Sequence, residues 1–437
     1  MGVDVLQTLE EFVESECIPA EDIFEEQLAA STRAGSRWTE VPAVVERLKV
    51  RAKSLGLWNL FMPKGHEGSA GVDMVDYASM SEVMGRSFLA PEACNCSAPD
   101  TGNMEVLAKY GSPEQRRRWL GPLLEGKIRS AFLMTEPDVA SSDATNICAS
   151  LRREGDTCVV SGTKWWSTGA LDPRCKVVIV MCRSEGGGWA SAPAHKRHTM
   201  VLVPMDAPGV RVVRPLMVFG YDDAPFGHAE VELRDVRVPA TNIVLGEGRG
   251  FEIAQGRLGP GRVHHCMRAV GMAERALAAH IKRSRERSAF GRPLCEHDGV
   301  RTAVAQSRME IEQARLLVMD CAKKLEERGL GGAIQEVSMI KVVVPNMACS
   351  VIDRAVQAHG GLGVCQDTFL AAAFAHMRSL RIADGPDEVH TRTVAKYEYR
   401  KGQKTTQRPA AAGRGIGSGG GGGGGGGTGA IWTSSRL

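Results

Sequence analysis

The apolar pattern of this chain changes period twice, and that change limits the fold more than any single residue. Up to about residue 130 the pattern is helical: Leu6, Leu9, Phe12 and Val13 keep a 3.6-residue rhythm, as do Val44, Leu48, Ala52 and Leu55. Ser112-Pro113-Glu114 reads as a helix start, a serine cap followed by proline at the first helical position. From about 131 to 245 the period drops to two. Residues 158–160, 176–181, 199–203, 210–213 and 228–238 are strand candidates, with Gly, Pro and Asp between them. Long helical patterns then return at 270–288, 300–328 and 334–357, each long enough to cross a four-helix bundle. The expected architecture is α+β and multidomain: an N-terminal helical domain over 1–130, a middle antiparallel β-barrel or sandwich over 131–245, and a C-terminal four-helix bundle over 246–403. Beyond 404 periodicity stops. Residues 419–427 are nine consecutive glycines, which predict a disordered, Gly-rich tail over 404–437.

Composition narrows the function. A chain of 437 residues with 43% apolar and 24% charged residues is long enough for a sizeable core. A net charge of +3 gives no bulk electrostatic case for a nucleic-acid partner. The twelve cysteines are scattered without a CxxC pair, so no metal site is expected. The first residues show no basic-then-apolar leader, and Leu6 breaks the myristoylation pattern, so an intracellular protein is the expectation. No apolar run approaches the ~18 residues of a membrane span.

Three distant stretches carry the chemistry: residues 133–142 (LMTEPDVASS), 164–170 (KWWSTGA) and 384–390 (DGPDEVH). The first two mix hydroxyls with tryptophan, as a surface that grips a flat polar ring would. The third sets a carboxylate beside a Gly-Pro turn. On the residues alone, Asp384 also reads as the cap of a helix starting at Gly385-Pro386. Thr135 and Ser141 also read as turn caps, and one of Trp165 and Trp166 as plain core.

Together, in this order, the three stretches resemble the acyl-CoA dehydrogenases over residues 5–403, a family whose fold is helices, strands, helices. The resemblance is closest to the branch with Asp at the catalytic-base position. Longer members of that branch carry a kinase-like domain ahead of the dehydrogenase part, and none is read in this chain. The family removes an α-proton and a β-hydride from a saturated acyl-CoA, giving a trans-2-enoyl-CoA. The hydride needs an acceptor no side chain provides, here FAD. The proton needs a well-placed carboxylate.

The resemblance makes Asp384 the base. In other members the base lies on an earlier helix, but the matching stretch 258–263 (LGPGRV) has no acid. Most members have Glu where this chain has Asp384. The shorter side chain matters, because a misplacement of about an ångström costs around a hundredfold in rate. Leu133, Thr135, Ser142, Trp166, Ser167, Thr168, Pro386, Asp387 and Glu388 match flavin contacts. Arg287 and Phe290 (in RSAFGR), with Gln357, Gly360 and Gly361 (QAHGG), match residues that bind the far end of FAD across a subunit interface, which implies a homodimer or homotetramer. Ser141, Gly259, Pro260, Gly261, Arg262 and Gly385 match substrate-binding positions, with Arg262 facing either the CoA nucleotide or Asp384. Where distant relatives have Gly-Ala-Gly-Ser-Asp, this chain has Asp138-Val139-Ala140-Ser141-Ser142. His264 and His265 have no third metal ligand at a usable spacing and read as a polar helix face.

The expected partners are an acyl-CoA, medium, long or branched, and an electron acceptor in fatty acid β-oxidation. That acceptor is an electron-transfer flavoprotein in mitochondrial members and O2 in peroxisomal acyl-CoA oxidases. The terminal Ser435-Arg436-Leu437 resembles the Ser-Lys-Leu peroxisomal address, which makes the oxidase the first alternative; mitochondrion or cytoplasm are the other locations. A non-catalytic flavoprotein of the same fold is the second alternative.

Overall fold

The computed structural model describes residues 2–406, apart from the side chains of residues 2–4, 258, 260 and 402–406. The glycine run and Ser435-Arg436-Leu437 lie outside the described residues. The chain divides into two units between Val394 and Ala395. The second is helical over its described part.

The helical rhythm near the start is realised in α1 (Gly2–Phe12) and α2 (Ala43–Ser54), which bury Leu9, Phe12, Val44, Leu48 and Ala52. Asp100–Tyr110 forms α3. Ser112 caps as expected: its Oγ accepts from Gln115 N at 3.2 Å, and Gln115 Oε1 accepts from Ser112 N at 3.0 Å. Such a reciprocal cap satisfies two orphan donors and is worth about 1 kcal/mol.

Seven strands form one sheet: β1 (Arg129–Leu133), β2 (Ser150–Glu154), β3 (Thr157–Thr168), β4 (Cys175–Glu185), β5 (His198–Pro204), β6 (Val210–Leu216) and β7 (His228–Pro239). Their order is β1-β4-β2-β3-β7-β6, with β5 also on β4. The five expected strands fall within β3 to β7. β1 and β2 carried no alternation to read. β1 buries Arg129 and Ser130 beside its apolar residues, and β2 buries only Leu151. The antiparallel expectation holds for β2–β3, β3–β7, β4–β5 and β6–β7, but β1 and β2 both run parallel to β4. β4 is a near-continuous apolar run because both of its faces are covered. Val177, Ile179 and Met181 pack with the N-terminal helices, while Val178, Val180 and Cys182 pack with the inner sheet face.

A buried ionic cluster joins the N-terminal helices to the sheet. Lys49 Nζ lies 2.7 Å from Glu92, Arg129 pairs with both Glu92 and Asp100, and Arg174 holds Asp172 at 2.7 Å.

The C-terminal helices are α4 (Gly250–Glu286), α5 (Asp298–His359), α6 (Leu370–Leu380) and α7 (Asp387–Thr406). α5 is two arms joined at Gly329, whose φ of 64° and ψ of 178° only glycine adopts cheaply. The arms match the separate helices expected at 300–328 and 334–357. A two-strand hairpin, β8 (Ser288–Ala289) and β9 (Arg292–Pro293), follows α4.

Candidate active site

One buried ion pair ties the first two motifs together. Lys164 is fully buried, and its Nζ donates to Glu136 Oε1 at 2.8 Å and to the carbonyls of Met134 and Met181 at 2.9 and 2.7 Å. Glu136 also accepts from the backbone N–H groups of Cys148 and Ala149, each at 2.8 Å. All three ammonium protons and both carboxylate oxygens are satisfied, which is what such a buried pair requires. Burial pushes the Lys164 ammonium down, opposed by Cys182 and Glu136. Trp165 N donates to Thr135 O at 3.0 Å, a second tie between the motifs.

β3 slips register against β7 between Lys164 and Ser167, and Trp166 takes a left-handed φ of 50° there. A bulge of this kind re-aims a side chain. Trp166 is left 40% exposed, while Trp165 is half-buried and Ser167 wholly buried. Trp166, the residue matched to the flavin, is thus the more exposed of the two tryptophans, and Trp165 is not full core either. Thr135 and Thr168 are partly exposed and Ser142 exposed. Leu133 is a correction: its side chain is fully buried in the sheet core, because β1 points it inward, and it lines no open surface. Ser141 is engaged within its own loop, accepting from Glu136 N at 2.9 Å.

The third motif forms a turn in place of a helix cap. Asp384 has φ 55° and Gly385 φ 102°, and α7 starts only at Asp387. The Asp384 carbonyl accepts from Arg262 Nε at 3.1 Å and lies 3.2 Å from His390 Nε2. Lys341, fully buried on α5, donates to Leu380 O at 2.6 Å and Gly385 O at 3.4 Å. The Asp384 carboxylate is thereby presented from a braced backbone, with Oδ2 3.5 Å from His265 Nε2. Burial raises its pKa, but His265, Arg257, Arg262 and Lys341 outweigh burial and hold it below the usual carboxylate value. Burial, reinforced by Arg268, pushes His265 down to about 4 against the pull of Asp384. Asp387 is taken up by Arg381 Nε at 2.9 Å and Asn346 Nδ2 at 3.0 Å; Glu388 is exposed and Pro386 partly so.

A cavity of about 280 Å³ opens beside Arg257, walled by Met62, Pro63, Glu105, Tyr110 and Gly256. Burial raises the Glu105 carboxyl to about 8. The Arg257 guanidinium stacks 4.0 Å from the Phe132 ring. A larger cleft of about 540 Å³, between Tyr110, Arg153 and Glu247, contains none of the motif residues.

Gly259 is buried, with Leu330 where a Cβ would go, whereas Gly261 faces open space. The Pro260 side chain lies outside the described ones. Arg287, Gln357, Gly360 and Gly361 are exposed, and Phe290, at the tip of the β8–β9 hairpin with φ 52°, is 99% exposed.

His264 and His265 are not a solvated face. His264 is 1% exposed and stacks edge-on against Tyr77 at 4.5 Å, and His265 meets Asp384. Arg257, Lys341 and His390 were also missed around Asp384. Arg257, Gly261 and His265 share one face of α4 at four-residue spacing, a readable signal once Asp384 is placed against that helix.

An outward indole at a bulge, on a strand whose neighbouring Trp165 N–H is tied to Thr135 O and whose Thr168 hydroxyl is held by His228, fits a flat heteroaromatic ring. The acyl-CoA dehydrogenase N-terminal domain matches residues 4–127, the middle domain residues 131–236 and the C-terminal domain residues 248–398. The chain therefore belongs to the acyl-CoA dehydrogenase family, whose members are FAD-dependent oxidoreductases. It is 52% identical over 398 residues to acyl-CoA dehydrogenase family member 11 of Gallus gallus, covering 91% of this chain and 50% of that protein. It is 50% identical over 405 residues to FadE2 of Mycobacterium tuberculosis, covering 92% and 97%. A solved structure from Mycobacterium abscessus, assigned as an acyl-CoA dehydrogenase, superposes with a TM-score of 0.86 at 49% identity, covering 92% and 98%. The chain spans about half the length of the vertebrate family member 11 proteins it matches.

Proposed function

We propose that this chain oxidises a saturated acyl-CoA to the trans-2-enoyl-CoA, with Asp384 as the base that removes the α-proton. The observation that carries this reading is the braced turn at residues 384–385, which presents an ionised carboxylate among four cationic or imidazole side chains. An acyl chain bound over the turn would exclude water from it. The carboxylate then loses solvation and becomes a stronger base, which suits it to a weak carbon acid. FAD, when bound, supplies the acceptor for the β-hydrogen. Trp166, Thr135, Thr168 and Ser142 would hold its ring, with Pro386 and Glu388 at the turn. Ser141, Gly261, Arg262 and Gly385 would receive the thioester and CoA.

The substrate we favour is a medium, long or branched acyl-CoA of fatty acid β-oxidation. Phe290, Gln357, Gly360 and Gly361 are all exposed, which leaves them open to a second subunit in a homodimer or homotetramer. An electron-transfer flavoprotein is the acceptor we propose; hydrogen peroxide formed stoichiometrically without one would assign the oxidase instead.

The test is anaerobic titration of the flavin-loaded protein with an acyl-CoA panel. At least one acyl-CoA should bleach the flavin, and Asp384→Asn should keep its flavin but not bleach. Bleaching by the variant at the native rate would remove Asp384 from the role, and a panel with no bleaching would remove the activity.

A further inference from the structure

Thr168 does not stand alone at the sheet edge. Its Oγ1 lies 2.9 Å from Nδ1 of His228, the paired residue on β7. His228 Nε2 lies 2.9 Å from Asp223 Oδ2, and the second oxygen of Asp223 lies 2.8 Å from Nε2 of His376 on α6. The row Thr168–His228–Asp223–His376 thus runs from the motif hydroxyl, through the loop between β6 and β7, into the C-terminal helices.

The row is well fixed. Asp223 takes a left-handed φ of 52°, and its carbonyl accepts from Gly227 N at 2.8 Å. The neighbouring Asp222 is clamped by Arg37 at 2.6 and 2.7 Å. His228 packs 5.7 Å from the outward Trp166 ring, and His376 packs edge-on to Phe88 at 5.4 Å. The side chains of His228 and Asp223 are 18% and 12% exposed.

The chemistry of the row assigns its protons. A carboxylate only accepts, so Asp223 takes Nε2–H from both imidazoles. With Nε2–H spent on Asp223, Nδ1 of the His228 imidazole is left as an acceptor, and among the described residues the donor facing it is the Thr168 hydroxyl. The Thr168 proton is thereby committed to His228, which leaves the lone pairs of its oxygen free to accept. We propose that His228, Asp223 and His376 are positioning residues that orient the Thr168 hydroxyl as an acceptor toward the flavin and so raise the flavin reduction potential. Reduced flavin carries a proton on the ring nitrogen that oxidised flavin leaves bare. An outward lone pair therefore favours the reduced form, and an outward hydroxyl proton favours the oxidised one. Burial raises the Asp223 pKa, but the hydrogen bonds from His228 and His376 outweigh it and hold Asp223 ionised, as the row needs. This inference rests on the reading that Thr168 faces FAD.

The test is the midpoint potential of the purified, flavin-loaded protein at fixed pH. Thr168→Val and His228→Phe should each lower it. The double variant should lie no lower than the lower single variant, because the imidazole acts only through the hydroxyl. His228→Asn, which offers an amide oxygen near the position of Nδ1, should recover part of the loss and serves if the Phe variant fails to load flavin. An unchanged potential in Thr168→Val would show that Thr168 does not face the flavin. A shift in Thr168→Val with none in His228→Phe or His228→Asn, or full additivity in the double variant, would overturn the relay while leaving the Thr168 placement standing.

Discussion

Arg262 and Asp384 meet through the backbone and not through a side-chain ion pair: the guanidinium Nε donates to the Asp384 carbonyl at 3.1 Å. The guanidinium fixes where the turn sits, and the carboxylate stays free for another contact. A charge-assisted hydrogen bond of this kind contributes about 1.5–3 kcal/mol. Arg262→Met should therefore lower kcat by about ten- to a hundredfold while flavin content holds, because the base loses its register with the substrate. Steady-state kinetics with flavin quantitation checks this; an unchanged kcat would make the contact dispensable.

Gly385 is the position beside the base that leaves least room. Its φ is 102°, and a Cβ there would lie 2.7 Å from His390 Nε2. Gly385→Ala should cost about 1–3 kcal/mol through the strained backbone. It should also displace His390 from the Asp384 carbonyl, so that stability and kcat fall together. Denaturant unfolding and kinetics on one preparation would show whether they do.

The turn also makes stability depend on pH. His390 is 3% exposed, and burial with the nearby Arg262 drives its pKa from 6.5 to about 4. Between those values the unfolded chain binds a proton that the folded one does not, so stability falls as pH falls from about 6.5 toward 4. The contribution at stake is about 3 kcal/mol. Unfolding midpoints at pH 7 and pH 5 should differ, and His390→Gln should narrow the difference.

The sequence carried the larger plan of this molecule because period is a property of faces. Leu9, Phe12, Val44 and Leu48 had to recur as they do to line one side of a helix, and they are buried. Trp166 and Asp384 were legible as members of motifs. What could not be read was the company Asp384 keeps. His265, Lys341 and His390 come from three helices, and only packing brings them to one turn. Leu133 failed for a related reason: a strand residue faces in or out, and β1, with Arg129 and Ser130 buried beside it, gives no alternation from which to tell.

Arg129 is itself a test of how the N-terminal helices hold the sheet. Its side chain is 5% exposed and pairs with Glu92 and Asp100. Arg129→Met would leave two buried carboxylates short of a partner and should cost about 3–5 kcal/mol. Adding Glu92→Gln should return part of that loss, and equilibrium unfolding of the single and double variants measures both.

Lys164 and Glu136 have a consequence beyond stability. They stand 28 residues apart, one in each of the first two motifs, and among the described residues neither has another ion-pair partner for its buried charge. A lineage that lost one would carry an uncompensated charge in its interior until the other changed too. The two motifs should therefore drift as one hereditary unit, altered in step or not at all.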